Sequence, residues 1–244
     1  MNSLLLRKCG TLLIVCSTML ISPSCRNESD LAPVQSITEE QMVLLVEKVA
    51  TSSAYKALFS EMANMSELVK QKQLVVNQVN VVDFENRLAS SRTVRELEAN
   101  LGEKFSKPSL VIGATEKLNV LLKRLDAETR FSTLSTEKRK ELMKRVSEHS
   151  ASKVAFTQAF KANAAQARVH DCGGDCNTVY YHTLEYAGYA AIAGTIVSYG
   201  AGLLGGPAGM AAGALGIAGV AAAYLIAEDA ALTTLGDCFS ACPD

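Results

Sequence analysis

Forty-two consecutive residues, Tyr186 to Ala227, carry no charged side chain, and 14 of them are Ala and 10 are Gly. Two Cys-x-x-x-Cys pairs frame this run, Cys172/Cys176 on one side and Cys238/Cys242 on the other. Tyr186–Leu204 is 19 uncharged residues and Pro207–Ala227 is 21. Each, as a helix, is about 30 Å long. Gly205-Gly206-Pro207 between them is a turn signal. The stretch therefore reads as a hairpin of two apolar helices. Gly205, Gly209 and Gly213 recur every fourth residue, as do Gly202 and Gly206, and small residues at that spacing let helix backbones come close.

The rest of the chain has a different chemistry. Residues 1–168 carry 24 basic and 18 acidic groups, net +6, whereas 169–244 carry seven acidic groups and no Lys or Arg. The basic excess is dilute and has no aromatic-lined stripe, which argues against a nucleic-acid partner. From Ile37 onward the pattern is helical. Thr38-Glu-Glu-Gln41 is a capping-box signature ahead of Met42, Leu45, Val46 and Val49. Leu58, Met62, Met65 and Val69 form an amphipathic stripe. Val75–Phe84 has strand character and reads as a connector or helix end. Further helices are expected over 92–101, stopped by Gly102, and from Pro108, with Leu118, Leu121, Leu122 and Leu125 as its stripe. Two more are expected over 136–149, capped by Ser135, and over 151–168. The expected fold class is all-α: a helical bundle with an apolar hairpin at its C-terminus.

At the other end, Arg7 and Lys8 precede an apolar run from Thr11 to Ile21, followed by Ser-Pro-Ser-Cys at 22–25. That run is too short to cross a bilayer and has the parts of a signal peptide. With Ser24 just before it, Cys25 resembles the lipobox cysteine of bacterial lipoproteins. The resemblance implies cleavage after residue 24, lipid (palmitate) on Cys25, and an exported protein anchored in the cell envelope, at the outer membrane or cell surface. Residues 25–36, beginning Cys-Arg-Asn-Glu-Ser-Asp, then form a polar tether. Residues 37–169 form the amphipathic helical region, and 170–244 the Cys-framed hairpin.

Cysteine arithmetic agrees with export. Cys9 and Cys16 leave with the leader and Cys25 takes lipid, so four cysteines remain for an oxidising compartment. Four cysteines allow three pairings. Bonds within one Cys-x-x-x-Cys lack disulfide geometry on a regular helix. An antiparallel hairpin aligns Cys172 with Cys242 and Cys176 with Cys238. The competing use of these cysteines is zinc, with His170 and His182 as further ligands beside Asp171, Asp175 and Glu185. That spacing matches no strong zinc pattern, so the expectation is disulfides, no metal and no cofactor.

Two readings of the hairpin stand side by side. Tyr180, Tyr181, Tyr186, Tyr189 and Tyr224 fall at its open end with Glu185, Glu228 and Asp229, as an interfacial aromatic belt would. Glycine-rich, cysteine-bounded helical peptides of bacteriocin-like proteins are similar in composition and framing. That resemblance implies residues 186–227 contacting or entering a membrane. Against it, Ala and Gly add little to insertion and no Lys or Arg flanks either helix. The hairpin would then be the buried core of a soluble binding or scaffold lipoprotein. No Gly-x-Ser-x-Gly, phosphate loop, His-Glu-x-x-His or dinucleotide fingerprint is present, and no enzyme activity is expected.

Overall fold

The computed structural model describes residues 37–77, 81–91, 93–160, 172–204 and 206–242. The proposed leader, Cys25 and the tether lie outside these residues, as do His170, Asp171 and Gly205. The described residues form nine α-helices and no sheet. In chain order they are α1 (Glu39–Thr51), α2 (Ser53–Lys70), α3 (Val81–Ser90), α4 (Val94–Lys104), α5 (Pro108–Thr129), α6 (Thr136–Glu148), α7 (Ser150–Ala159), α8 (Cys172–Leu204) and α9 (Gly206–Ser240).

Local signals set most helix starts. Thr38 and Gln41 cap α1 reciprocally, the Thr38 side chain accepting from the Gln41 N–H at 3.3 Å. Ser52 then breaks the long apolar pattern in two: it ends α1 and N-caps α2, and its hydroxyl donates to Glu128 on α5 at 2.8 Å. Pro108 opens α5, and Ser135 caps α6 by accepting from the Lys138 N–H at 3.2 Å. Two expectations need correction. Gly102 does not stop α4, which continues to Lys104, because Leu101 and Lys104 on either side are buried and packing outweighs the glycine's low helix propensity. The helix expected over 151–168, α7, ends at Ala159 with Phe160 as its C-cap; Phe156 and Phe160 point inward, and residues 161–168 lie outside the described residues. The valine-rich connector makes one antiparallel bridge, Val76 to Phe105, before α3 begins at Val81.

The two C-terminal helices run antiparallel and pack along their length. They have 33 and 35 residues, so each is about 50 Å long. The earlier helices wrap this pair. α6 and the 3₁₀ turn at Phe131–Thr133 lie on α8, α3 lies on α9, and α2 and α5 touch both. One apolar core results. It joins Leu58, Phe59 and Met62 of α2 and Leu118 and Leu122 of α5 to Ile192 and Ile196 of α8 and Ala218, Ala221 and Leu225 of α9. A helix that is apolar all round is a core or membrane helix. Here the central part of both hairpin helices is covered by protein.

Close approach explains the glycine content. A Cβ at Gly213 would lie 2.9 Å from the Gly202 Cα and 3.1 Å from the Ser198 carbonyl oxygen. One at Gly194 would meet Val220 at 3.0 Å, and one at Gly216 would meet Ser198 at 3.0 Å. Of the other glycines expected at this seam, Gly206 and Gly209 are in α9 but their surroundings lie outside the described residues, like Gly205.

Candidate functional site: a sulfur staple and a buried carboxyl on one hairpin

At the open end of the hairpin, Cys172 and Cys176 stand one turn apart on α8 and meet their partners across the seam. The structure has Cys172–Cys242 and Cys176–Cys238 disulfides, with Cα–Cα distances of 5.6 and 5.8 Å. The two bonds are stacked: the Cys176 and Cys242 sulfurs are 3.9 Å apart. Cys176 is buried and Cys172 is exposed. Sulfurs held in disulfides are not thiolate ligands, so the zinc arrangement around Cys172 and Cys176 does not form in this oxidised chain. His182 is largely exposed and faces Glu185 at 3.7 Å, a surface pair one helical turn apart.

Inward from the disulfides lies a polar cluster that the sequence did not reveal. Glu228 of α9 is 0% exposed. Its Oε1 accepts a hydrogen bond of 2.6 Å from the Tyr180 hydroxyl of α8, and its Oε2 has no hydrogen-bond partner among the described residues. The buried Tyr224 hydroxyl likewise has no hydrogen-bond partner among the described residues. Ser66 of α2 faces Tyr180, Tyr224 and Glu228 together, but its hydroxyl meets hydrogen-bond geometry with none of them. Lys70, one turn on, sits 5.6 Å from the Tyr180 ring centroid, a cation–π contact. Burial is the largest influence on Glu228 and raises its carboxyl above the ordinary range; the Tyr180 and Ser66 hydroxyls and the Lys70 charge act in the opposite sense. Burial likewise raises the Tyr180 and Tyr224 hydroxyls, and the neighbouring Glu228 charge adds to it. Next along, Asp229 is raised by burial, with the buried Lys104 of α4 pulling it back.

The tyrosines expected to form an interfacial belt mostly turn inward instead. Tyr180 and Tyr224 are buried in this cluster. Tyr189 packs edge-on to Phe59, with ring centroids 5.3 Å apart. It also stacks on Phe156 at 6.1 Å. Tyr181 packs edge-on to Tyr180, and Tyr186 alone of the five is well exposed, at 61%. The reason is amphipathic cover: α2 and α7 present aromatic faces where a membrane surface would otherwise be.

Near the other end of the hairpin, Arg139 of α6 is fully buried. It donates to the Ser132 and Leu134 carbonyls at 3.1 and 2.7 Å and to the Thr136 hydroxyl at 3.1 Å. A Cβ at Gly200 would fall 2.6 Å from its Nη1, so the glycine makes room for the guanidinium against α8. Burial pushes Arg139 down to about 10, partly offset by Asp126. This is a structural role: the group ties the 3₁₀ turn to the hairpin. His149 N-caps α7 by accepting from the Ala151 N–H at 3.2 Å, and its Nε2 lies 2.8 Å from a Glu47 carboxylate oxygen.

A scan against protein-family models, a search of curated proteins and a search of solved structures each return no match to this chain.

Proposed function

We propose that this is an exported, lipid-anchored, non-enzymatic helical protein of the cell envelope, a binding or scaffold module whose apolar hairpin is its own core. The observation that carries the reading is the cover over the hairpin. Ile192, Thr195, Ile196, Ile217, Ala218 and Ala221 are all within 5% of complete burial beneath helices that the same chain supplies. The two disulfides that clamp these helices together support an oxidising address. The Cys25 lipid would hold the bundle at the membrane through the polar tether. The test uses the chain from residue 26 onward, exported and oxidised. It should be monomeric without detergent and should stay in the aqueous phase on flotation with vesicles. Aggregation without detergent would overturn the core reading. An exported full chain whose mass shows no lipid on Cys25 would overturn the anchor.

One observation favours a second reading, hairpin insertion into the bilayer. Residues 212–240 of α9 are long and apolar enough to cross a membrane, although more than half of their most apolar part is buried within the protein. On this reading the hairpin leaves its cover when lipid is present. Co-flotation of the chain lacking the Cys25 lipid, with residues 177–236 protected from protease, would favour it.

A further inference from the structure

The two disulfides are in contact but are not equally accessible. Cys172 is exposed, Cys238 and Cys242 are half-buried, and Cys176 is 2% exposed. The sulfurs of Cys172, Cys176 and Cys242 all lie within 4.8 Å of one another, and the Cys176–Cys242 separation is 3.9 Å. Cys172 and Cys176 are held on α8, whereas Cys242 lies just past the end of α9, in a turn whose backbone N–H bonds the Phe239 carbonyl at 3.1 Å. A sulfur just beyond a helix end has more freedom to shift than one within a helix. Disulfides exchange when a thiolate attacks one sulfur and displaces the other as thiolate.

We propose that the stapled end is a two-step thiol–disulfide relay that accepts an external thiol at Cys172 and releases a thiol at Cys238. The external reactant is a small thiol or an accessible cysteine of a protein dithiol. In the first step its thiolate attacks the exposed Cys172 sulfur. An external S–Cys172 bond forms, the Cys172–Cys242 bond breaks, and the electron pair leaves on the Cys242 sulfur. In the second step the Cys242 thiolate attacks the buried Cys176 sulfur beside it. The Cys176–Cys242 bond forms, the Cys176–Cys238 bond breaks, and Cys238 leaves as thiolate and takes a proton from water. One mixed disulfide and one free thiol have replaced one disulfide and one external thiol, so atoms and electrons balance. The hairpin stays cross-linked throughout, because one bond between α8 and the end of α9 exists at every stage. The buried bond is thus opened from within, by a sulfur the first attack liberates.

The test is brief exposure of the oxidised, folded full chain to glutathione, acid quenching, alkylation and peptide mass mapping. The expected species carries glutathione on Cys172, a Cys176–Cys242 bridge and an alkylated Cys238. Glutathione on Cys172 with the Cys176–Cys238 bridge intact and Cys242 alkylated would overturn the relay. So would a first adduct on Cys238. A second measurement needs no reductant. In Cys172→Ser the Cys242 thiol is free from the outset, and a population carrying the Cys176–Cys242 bridge with Cys238 alkylated should appear in the mass map. Alkylation confined to Cys242 in that variant would overturn the second step, and the native-chain measurement decides the matter if the variant does not fold.

Discussion

The nested connectivity of the staple makes a quantitative prediction about its removal. Cys172–Cys242 and Cys176–Cys238 close loops with separations of 70 and 62 residues. By the chain-entropy relation either bond alone restricts the unfolded chain by about 4.3 kcal/mol. Both bonds, however, join the same two segments. Once one is present, the other closes only the small ring made by residues 172–176 and 238–242, about ten residues, worth about 2.7 kcal/mol. Replacing one pair by alanine should therefore lower stability by about 2.7 kcal/mol, whichever pair is chosen. Replacing both should lower it by about 7 kcal/mol, more than twice either single loss and comparable with the whole stability of many domains. Urea unfolding without reductant of the native chain, the two double variants and the quadruple variant measures all four values. Single-pair losses near 4 kcal/mol that simply add would refute the reasoning, because they would mean that the two bonds close independent loops. A quadruple variant as stable as the native chain would refute it more strongly.

Three further perturbations test the seam and the buried groups. Gly213→Ala places a methyl against the Gly202 backbone and should destabilise by about 1–3 kcal/mol, while Gly113→Ala, which meets nothing within 4 Å in the second turn of α5, should stabilise by about 0.5–1 kcal/mol; thermal unfolding of the pair gives both signs. Arg139→Ala removes the donor to two carbonyls and opens a cavity against α8, for a loss of about 3 kcal/mol or more in the same measurement. Glu228 has a raised carboxyl, so the folded chain holds its proton more tightly than the unfolded chain does. Its contribution to stability is present below the ordinary carboxylate range and is lost as pH rises through the raised value. Glu228→Gln should remove that decline, so that the variant gains on the native chain in urea unfolding as pH goes from 4 to 8; parallel curves would show that Glu228 does not titrate in this window.

The hairpin and its clamp were legible because their signals are one-dimensional. An uncharged run, a central Gly-Gly-Pro and two equally spaced cysteine pairs fix an antiparallel register, and that register continues into the structure. Moving equal distances along both helices from Cys176 and Cys238 arrives at Gly194 opposite Val220 and at Ser198 opposite Gly216, both close contacts. The inward turn of the tyrosines was not legible, since a belt at a membrane surface and an aromatic seam inside a bundle use the same residues. What separates them is the cover, supplied by Phe59 and Phe156 far away in the chain. The burial of Glu228 was hidden for the same reason: beside Asp229 at the edge of the apolar run it looks like a helix-end acid. The one available signal was Ser66, a small polar residue beside Met65 and one turn from Met62 and Val69 on the buried face of α2. Arg139 was hidden among the charges of α6, because an arginine aimed at a neighbouring turn has no periodic signature.

The central proposal is that the hairpin's middle, buried in the bundle, stays its core in water and beside a membrane alike. Hydrogen exchange of the oxidised chain from residue 26 onward, with and without vesicles, tests it most directly. The account predicts that amides of 189–200 and 214–228 are the slowest in the protein without any lipid and are unchanged when vesicles are added. Rapid exchange there in water, with protection gained only on lipid, would contradict it.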